Sequence, residues 1–248
     1  MRSARVGALL GAVALLATGC AQEDDAHHLL PVDAAGSPAE AADEALAAST
    51  LLTVDDFPSG WRTQPVPPDA GELDPAAGAQ LARCLGTDSE TVDTDFPHAS
   101  TPTFVSPAGD AVTVRVTLAP DDRWPRAAVQ HLRQTEAPGC YAHLMEDAIR
   151  SSQPVEDAPA DVEYGTPTAV VIPYADFGDT TVALRTSLPV SAGGEHINVY
   201  VDSVVVRVDR ALVSFSFNTQ IRPYDRDESE RVVQKQVERV SEALAEDA

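Results

Sequence analysis

The chain has 248 residues, with 17 basic and 39 acidic side chains and a formal net charge of −22. No Lys/Arg cluster is present, and a field of that sign repels phosphate backbones, which excludes a nucleic-acid partner. Adhesion to anionic headgroups through a basic patch is excluded on the same ground.

Arg2 and Arg5 precede a run from Val6 to Ala17 made only of Val, Gly, Ala and Leu. A charged start and a short apolar run read as a secretory signal over residues 1–19, too short to span a bilayer. The run ends at Leu16-Ala17-Thr18-Gly19-Cys20, which resembles the lipobox of bacterial lipoproteins. Ala17 stands where that pattern usually has Leu, and Leu16 sits one residue further back. The resemblance implies cleavage before Cys20 and a diacylglyceryl thioether on it. Two acyl chains are enough for a stable anchor, whereas one gives only marginal binding. The alternative is an ordinary signal peptide with an incidental cysteine. The mature chain would carry 15 basic and 39 acidic residues, net −24, with no further apolar run of spanning length. Its expected place is the extracytoplasmic face of the cell membrane, held through lipid on Cys20. Lysine occurs once, at Lys235, a bias typical of high-GC bacteria.

Residues 20–50 are rich in Ala, Asp, Glu and Pro and lack aromatics, so they read as a flexible tether with a transient helix at Pro38–Ala48. His27 and His28 within it read as solvated, since no other ligand is near. A single domain is expected over residues 51–248. About 195 residues suffice for one core.

Asp55-Asp56-Phe57-Pro58-Ser59-Gly60-Trp61 reads as an aromatic turn at the domain's entry. Asp74, Pro75 and Gly86 bracket a helix that carries Cys84 in its last turn. Thr103–Val105 and Ala111–Leu118 read as strands; in the second, Val112, Val114, Val116 and Leu118 alternate with polar residues. Asp122 is placed before a helix ending near Gln134. A break at Pro138-Gly139 precedes a second helix, opened by Cys140, whose apolar face is Tyr141, Leu144, Met145, Ala148 and Ile149. Val162–Ile172, Thr180–Leu188, Ile197–Val208 and Ala211–Ile221 are rich in strand-forming residues. Asp209-Arg210 joins the last two. Asp227 and Glu230 have the spacing of a variant capping box for a final helix with a Val233, Val237, Val240, Leu244 stripe. The expected fold is α+β: a mainly antiparallel sheet of about six strands with helices packed on one face.

With Cys20 assigned to lipid, Cys84 and Cys140 remain in a compartment where disulfides persist, and a bridge between them is the simplest reading. The alternative, a redox or metal thiol, lacks a CxxC motif or a neighbouring ligand set.

The order of elements resembles the extracellular sensor domain of mycobacterial-type serine/threonine kinases and its stand-alone lipoprotein relatives. The likeness spans roughly Leu51 to Leu244. It rests on the lipobox and tether, the Cys84 helix, the strand pair, the Cys140 helical segment, and the Val204–Val213 hairpin before a terminal helix. Family members tend to have Gly-Asn where this chain has Asp209-Arg210, and often two disulfides where it allows one. The resemblance implies an actinobacterial surface protein that binds or senses a ligand across a cleft.

No GxSxG, HExxH, Walker A, Rossmann or EF-hand pattern occurs, so no catalytic residue, cofactor or enzymatic activity is expected. Glu90, Asp93, Asp95 and His98 are the densest set of metal-ligand types, but they lack the Gly and terminal Glu of a calcium loop and read as a solvated acidic loop. His131 reads as a packing residue and His143 as a surface one. Ser191 and His196 are near in sequence with no identified acid; a hydrolase reading would need a nucleophile within hydrogen-bond reach of a histidine. Trp61 and Trp124 suit core packing better than a sugar or peptide groove. The leading expectation is a non-enzymatic ligand-binding or sensing lipoprotein whose small-molecule or protein ligand is unknown. The alternative is a carrier of a lipid or other apolar molecule between sheet and helices. A solid core with a polar cleft favours the former, and a continuous apolar cavity the latter.

Overall fold

A computed structural model describes residues 37–65, 75–87, 96–151 and 162–247. In chain order the described elements are α1 (Pro38–Thr50), a short 3-10 turn (Val54–Asp56), β1 (Arg62–Gln64), α2 (Pro75–Leu85), β2 (His98–Ser100), β3 (Thr103–Val105), β4 (Ala111–Leu118), α3 (Arg123–Leu132), α4 (Ala137–Ser151), β5 (Val162–Tyr164), β6 (Thr168–Val171), β7 (Thr180–Ala192), β8 (Glu195–Val208), β9 (Ala211–Gln220) and α5 (Arg226–Asp247). The nine strands form one antiparallel sheet in the order β1-β3-β4-β9-β8-β7-β5, with β2 also on β4 and β6 also on β7.

The α+β class stands, and two of its details are corrected. The sheet has nine strands rather than about six, because β1 and β2 are three-residue segments without alternating apolar positions. In addition, Val162–Ile172 divides at Gly165-Thr166-Pro167 into β5 and β6. β7 also runs on past Leu188 to Ala192. Pro189 is tolerated there because its carbonyl, and therefore its nitrogen, faces outward to the Gly165 N–H (2.8 Å), so no hydrogen bond to β8 is lost.

Helices pack on both faces of the sheet, not one. On the first face, Val112, Val114, Val116 and Leu118 of β4, Val204, Val206 and Val208 of β8, and Val213, Phe215 and Phe217 of β9 meet Val233, Val237 and Val240 of α5. The opposite parity of the same strands supplies Val205 and Leu212, which with Val182 and Leu184 of β7 meet Val129 and Leu132 of α3. Further along that second face, Leu188, Val190 and Val199 take Met145 of α4. Strands buried on both sides lose the simple in–out alternation over that stretch, as Val204-Val205-Val206 shows.

α1 departs from the tether reading. Residues 38–50 form a helix packed on the body, so the folded unit includes residues before Leu51. Ser37 and Glu40 make a reciprocal capping box (3.2 and 2.5 Å), Ala47 and Thr50 are buried, and Asp43 pairs with Arg210. Two helix starts also move. Pro138 lies inside α4, in its first turn, where a missing N–H costs nothing. α5 starts at Arg226, capped by Asp225, whose Oδ1 accepts the Glu228 N–H at 3.0 Å.

Cys84 and Cys140 are joined, tying α2 to α4 over a small cluster of Leu81, Leu85 and Ala137. Phe57 is buried and stacks on Phe104 and Trp61, with centroids at 4.5 and 4.7 Å, which pins the entry turn to the core. Gly178 takes φ +55, and a Cβ there would lie 2.5 Å from the Arg207 carbonyl, so the approach of its loop to β8 requires glycine.

Asp56, with a side chain only 7% exposed, collects Lys235 and Arg239 at 2.7 Å each and the Thr53 N–H at 2.7 Å. Burial opposes its ionisation, but the hydrogen bonds from Lys235, Thr53 and Arg239 outweigh it and lower the pKa from 3.8 to about 2. A carboxylate depressed in the folded state stabilises the fold fully above the unfolded value and less as pH falls through the folded one. The contribution of Asp56 is therefore intact at pH 5 and is lost between about pH 4 and 2. Urea midpoints measured across that window should fall less steeply for Asp56→Asn than for the parent; parallel curves would contradict this.

Candidate functional site

The second face of the sheet is not apolar throughout. On β4, β9 and the adjoining part of β8 it carries short polar side chains. Thr113 stands opposite Ser216, which stands opposite Ser203, and Arg115 stands opposite Ser214. Ser100 of β2 extends the Arg115 row, and Asn218 continues the β9 column. Directly opposed Cβ atoms are about 5 Å apart, so these residues form one contiguous strip. Thr113, Arg115, Ser203, Ser214, Ser216 and Asn218 are each half-buried.

Within the strip, Asn218 Nδ2 donates to Ser216 Oγ at 3.1 Å. The hydroxyls of Thr113, Ser203 and Ser214 meet no partner among the described residues. One border is α3 on its apolar seat. There Trp124 packs against the cluster around Leu212 and edge-on against Phe96, at 5.1 Å. Among the described residues the strip therefore has neutral donors and acceptors, one guanidinium that is itself engaged, and no carboxylate. Chemically it can hold a polar ligand; it offers no nucleophile–base pair.

Such a strip was partly legible. The alternation of β4 and of Val213-Ser214-Phe215-Ser216-Phe217 marks a polar face, but a polar face on an isolated strand reads as solvent-facing. Only strand order puts Thr113, Ser216 and Ser203 side by side beneath the edge of a helix.

The other singled-out residues are dispersed. Cys20, His27, His28, Glu90, Asp93 and Asp95 lie outside the described residues. His98, on β2, directs Nδ1 to the Phe96 carbonyl at 3.0 Å. His131 is half-buried with Nδ1 3.0 Å from Gln134 Nε2, a packing role. His143 is exposed beside Glu146 (3.9 Å) and Asp147 (3.6 Å). Trp61 serves the entry turn. Among the described residues, no group of three or more His, Cys, Asp or Glu side chains is gathered as a metal would need, and no helix is long and apolar enough to cross a membrane.

Ser191 does lie within reach of a histidine: its Oγ is 2.7 Å from His196 Nδ1, across the β7–β8 ladder next to the Gly193-Gly194 turn. The nearest register partner on the other side is Glu163 of β5, opposite Ser191. The order across the strands is thus acid, serine, histidine. A charge relay needs the acid on the histidine, and among the described residues no carboxylate meets the second ring nitrogen.

Arg185 and Asp202 form a bidentate pair, with both contacts at 2.6 Å, on the first face. Asp202 is 5% exposed, and the pair consumes both charges internally. Beyond it, burial pushes the Tyr174 phenol well above its ordinary range; its hydroxyl donates to Ser229 Oγ at 2.8 Å. Burial also pushes the Tyr141 phenol up to about 12. Neither is a base at neutral pH.

No protein-family model matches the chain, and no curated protein matches it. Several solved structures are similar to it, two mycobacterial proteins among them. LpqN of Mycobacterium tuberculosis, described as involved in cell envelope biogenesis, is 15% identical over 75% of this chain and 78% of its own, with a TM-score of 0.24. An uncharacterized protein of Mycobacterium smegmatis, the Rv0999 ortholog, is 12% identical over 77% of this chain and 90% of its own, with a TM-score of 0.32.

Proposed function

We propose that the protein is a lipid-anchored extracytoplasmic binding protein without enzymatic activity, and that its ligand rests on the Thr113–Ser203–Ser214–Ser216–Asn218 strip. The observation that carries this reading is a half-buried sheet face built from short hydroxyl and amide side chains whose hydrogen-bonding capacity is mostly unused. Half-buried polar groups are ordinarily paired with protein or water, and a ligand able to replace that water gains their bonds. A floor with no carboxylate and a single guanidinium suits an uncharged, hydrogen-bond-rich molecule. The anchor read at Cys20 and the sequence's resemblance to kinase sensor domains support a location outside the cell, at the membrane. The carrier reading has less support, because the space between sheet and α5 is occupied by the core itself, including Phe104, Val114, Phe217 and Val233 at 0–1% exposure.

Native mass spectrometry of protein purified from its host identifies what co-purifies, and titration of that molecule into Ser214→Val and Ser216→Val tests the site. Each substitution should weaken binding roughly three- to tenfold, the worth of one neutral hydrogen bond, with an unchanged melting temperature. Undiminished affinity in both variants would move the site elsewhere. In the same host Cys20→Ala should appear in the medium rather than the membrane fraction. A hydrolase reading rests on the Ser191–His196 contact alone; labelling of Ser191 by a fluorophosphonate would revive it, and none is expected.

A further inference from the structure

The two ends of α1 are held by different means. Its first five residues, Pro38 to Ala42, are exposed, and beyond them only Asp43, Leu46, Ala47 and Thr50 turn toward the body. Along the helix the apolar hold is small, Ala47 buried in the main core with Leu46 packed beside it. The polar hold is one ion pair: Arg210 Nη2 and Nη1 reach Asp43 at 2.7 and 3.0 Å, and the same guanidinium also binds the Ala119 carbonyl (3.1 Å) and faces Asp247 (3.6 Å). The C-terminal end is clamped from α5. Gln236, 0% exposed, donates to the Thr50 carbonyl at 3.0 Å and accepts the Leu52 N–H at 3.1 Å, while Arg239 holds the Leu51 carbonyl at 3.0 Å. The N-terminal end needs no support from the body, because the Ser37–Glu40 box satisfies its first amides locally.

We infer that α1 is a releasable strap: it leaves the body as a unit when the Asp43–Arg210 pair opens, pivoting on the backbone held by Gln236 and Arg239. Opening exposes only Ala47 and Leu46 of the apolar side chains along α1, and a region with so few apolar contacts opens at a lower free energy than the core to which it is attached. Buried Gln236 marks where the opening stops. If the segment before Ser37 is a lipid-anchored tether, release adds a helix of about 20 Å to the reach of the domain, and it uncovers the β2–β4 end of the first face on which α1 sits.

Hydrogen exchange on the full chain tests this with Asp43→Asn, which removes the pair but leaves the Arg210 bond to Ala119 in place. Amides of residues 43–50 should exchange roughly tenfold faster than in the parent, while those of β8, β9 and α5 keep their rates. Unchanged exchange in residues 43–50 would overturn the strap, and so would acceleration shared equally by α1 and the sheet. Asp43→Ala should reproduce the result, and its failure to do so would count equally against the inference.

Discussion

Replacing Cys84 and Cys140 together by serine is expected to lower the stability of the domain by about 4 kcal/mol in the chain-entropy description of a cross-link. The bridge closes a loop across a sequence separation of 56 residues, so its loss frees a long stretch of the unfolded chain, including β2, β3, β4 and α3. The native state has little with which to compensate. Besides the bridge, α2 is held on α4 by Leu81 and Leu85 against Ala137, Cys140, Tyr141 and Leu144, a cluster separate from the main core, and by a hydrogen bond from Gln80 Nε2 to Asp147. Urea unfolding should show a lower midpoint together with a larger m-value, because the uncrosslinked unfolded chain exposes more surface. Dithiothreitol should impose the same change on the parent and none on the double variant. A midpoint indifferent to reduction would show that the bridge contributes nothing.

Gln236→Leu is the second large effect, at about 2–6 kcal/mol. Leucine fits the volume, but the Leu52 N–H and the Thr50 carbonyl both lose their partner inside the protein, and each stranded group costs about 1–3 kcal/mol. Position 236 lies on the buried side of α5 near Val233, Val237 and Val240, so a sequence-only argument would favour leucine there. Thermal unfolding should show a clear fall for Gln236→Leu and a smaller one for Gln236→Glu, which retains the acceptor for Leu52. A leucine variant as stable as the parent would mean that the chain around Leu51 repacks or hydrates at no cost.

The difference between these two residues shows what could be read without coordinates. Cys84 and Cys140 were assignable from the expected compartment and parity, because an even pair of cysteines in a chain read as exported has few other fates. Gln236 carries no such mark. Its partners are backbone groups 184 and 186 residues earlier, and nothing in local composition encodes them. The strip was legible only strand by strand, as polar positions on β4 and β9, and the Ser191–His196 contact required the register of β7 on β8.

By itself, the sequence determined the class of the fold, the long strands, the terminal helix and the aromatic entry turn, since all of these follow from apolar periodicity, caps and turn residues acting within a few positions. The tertiary structure decided the rest. It placed helices on both faces, because β7, β8 and β9 bury alternate residues in opposite directions and the period-two pattern alone does not say what covers each side. It recruited Pro38–Thr50 into the body through Asp43–Arg210 and Gln236, long-range contacts that outweigh the polar composition of that segment. It also gathered Thr113, Ser203, Ser214, Ser216 and Asn218 into one surface. Strand order is a property of the whole chain, and only once it is set do separated hydroxyls share a floor.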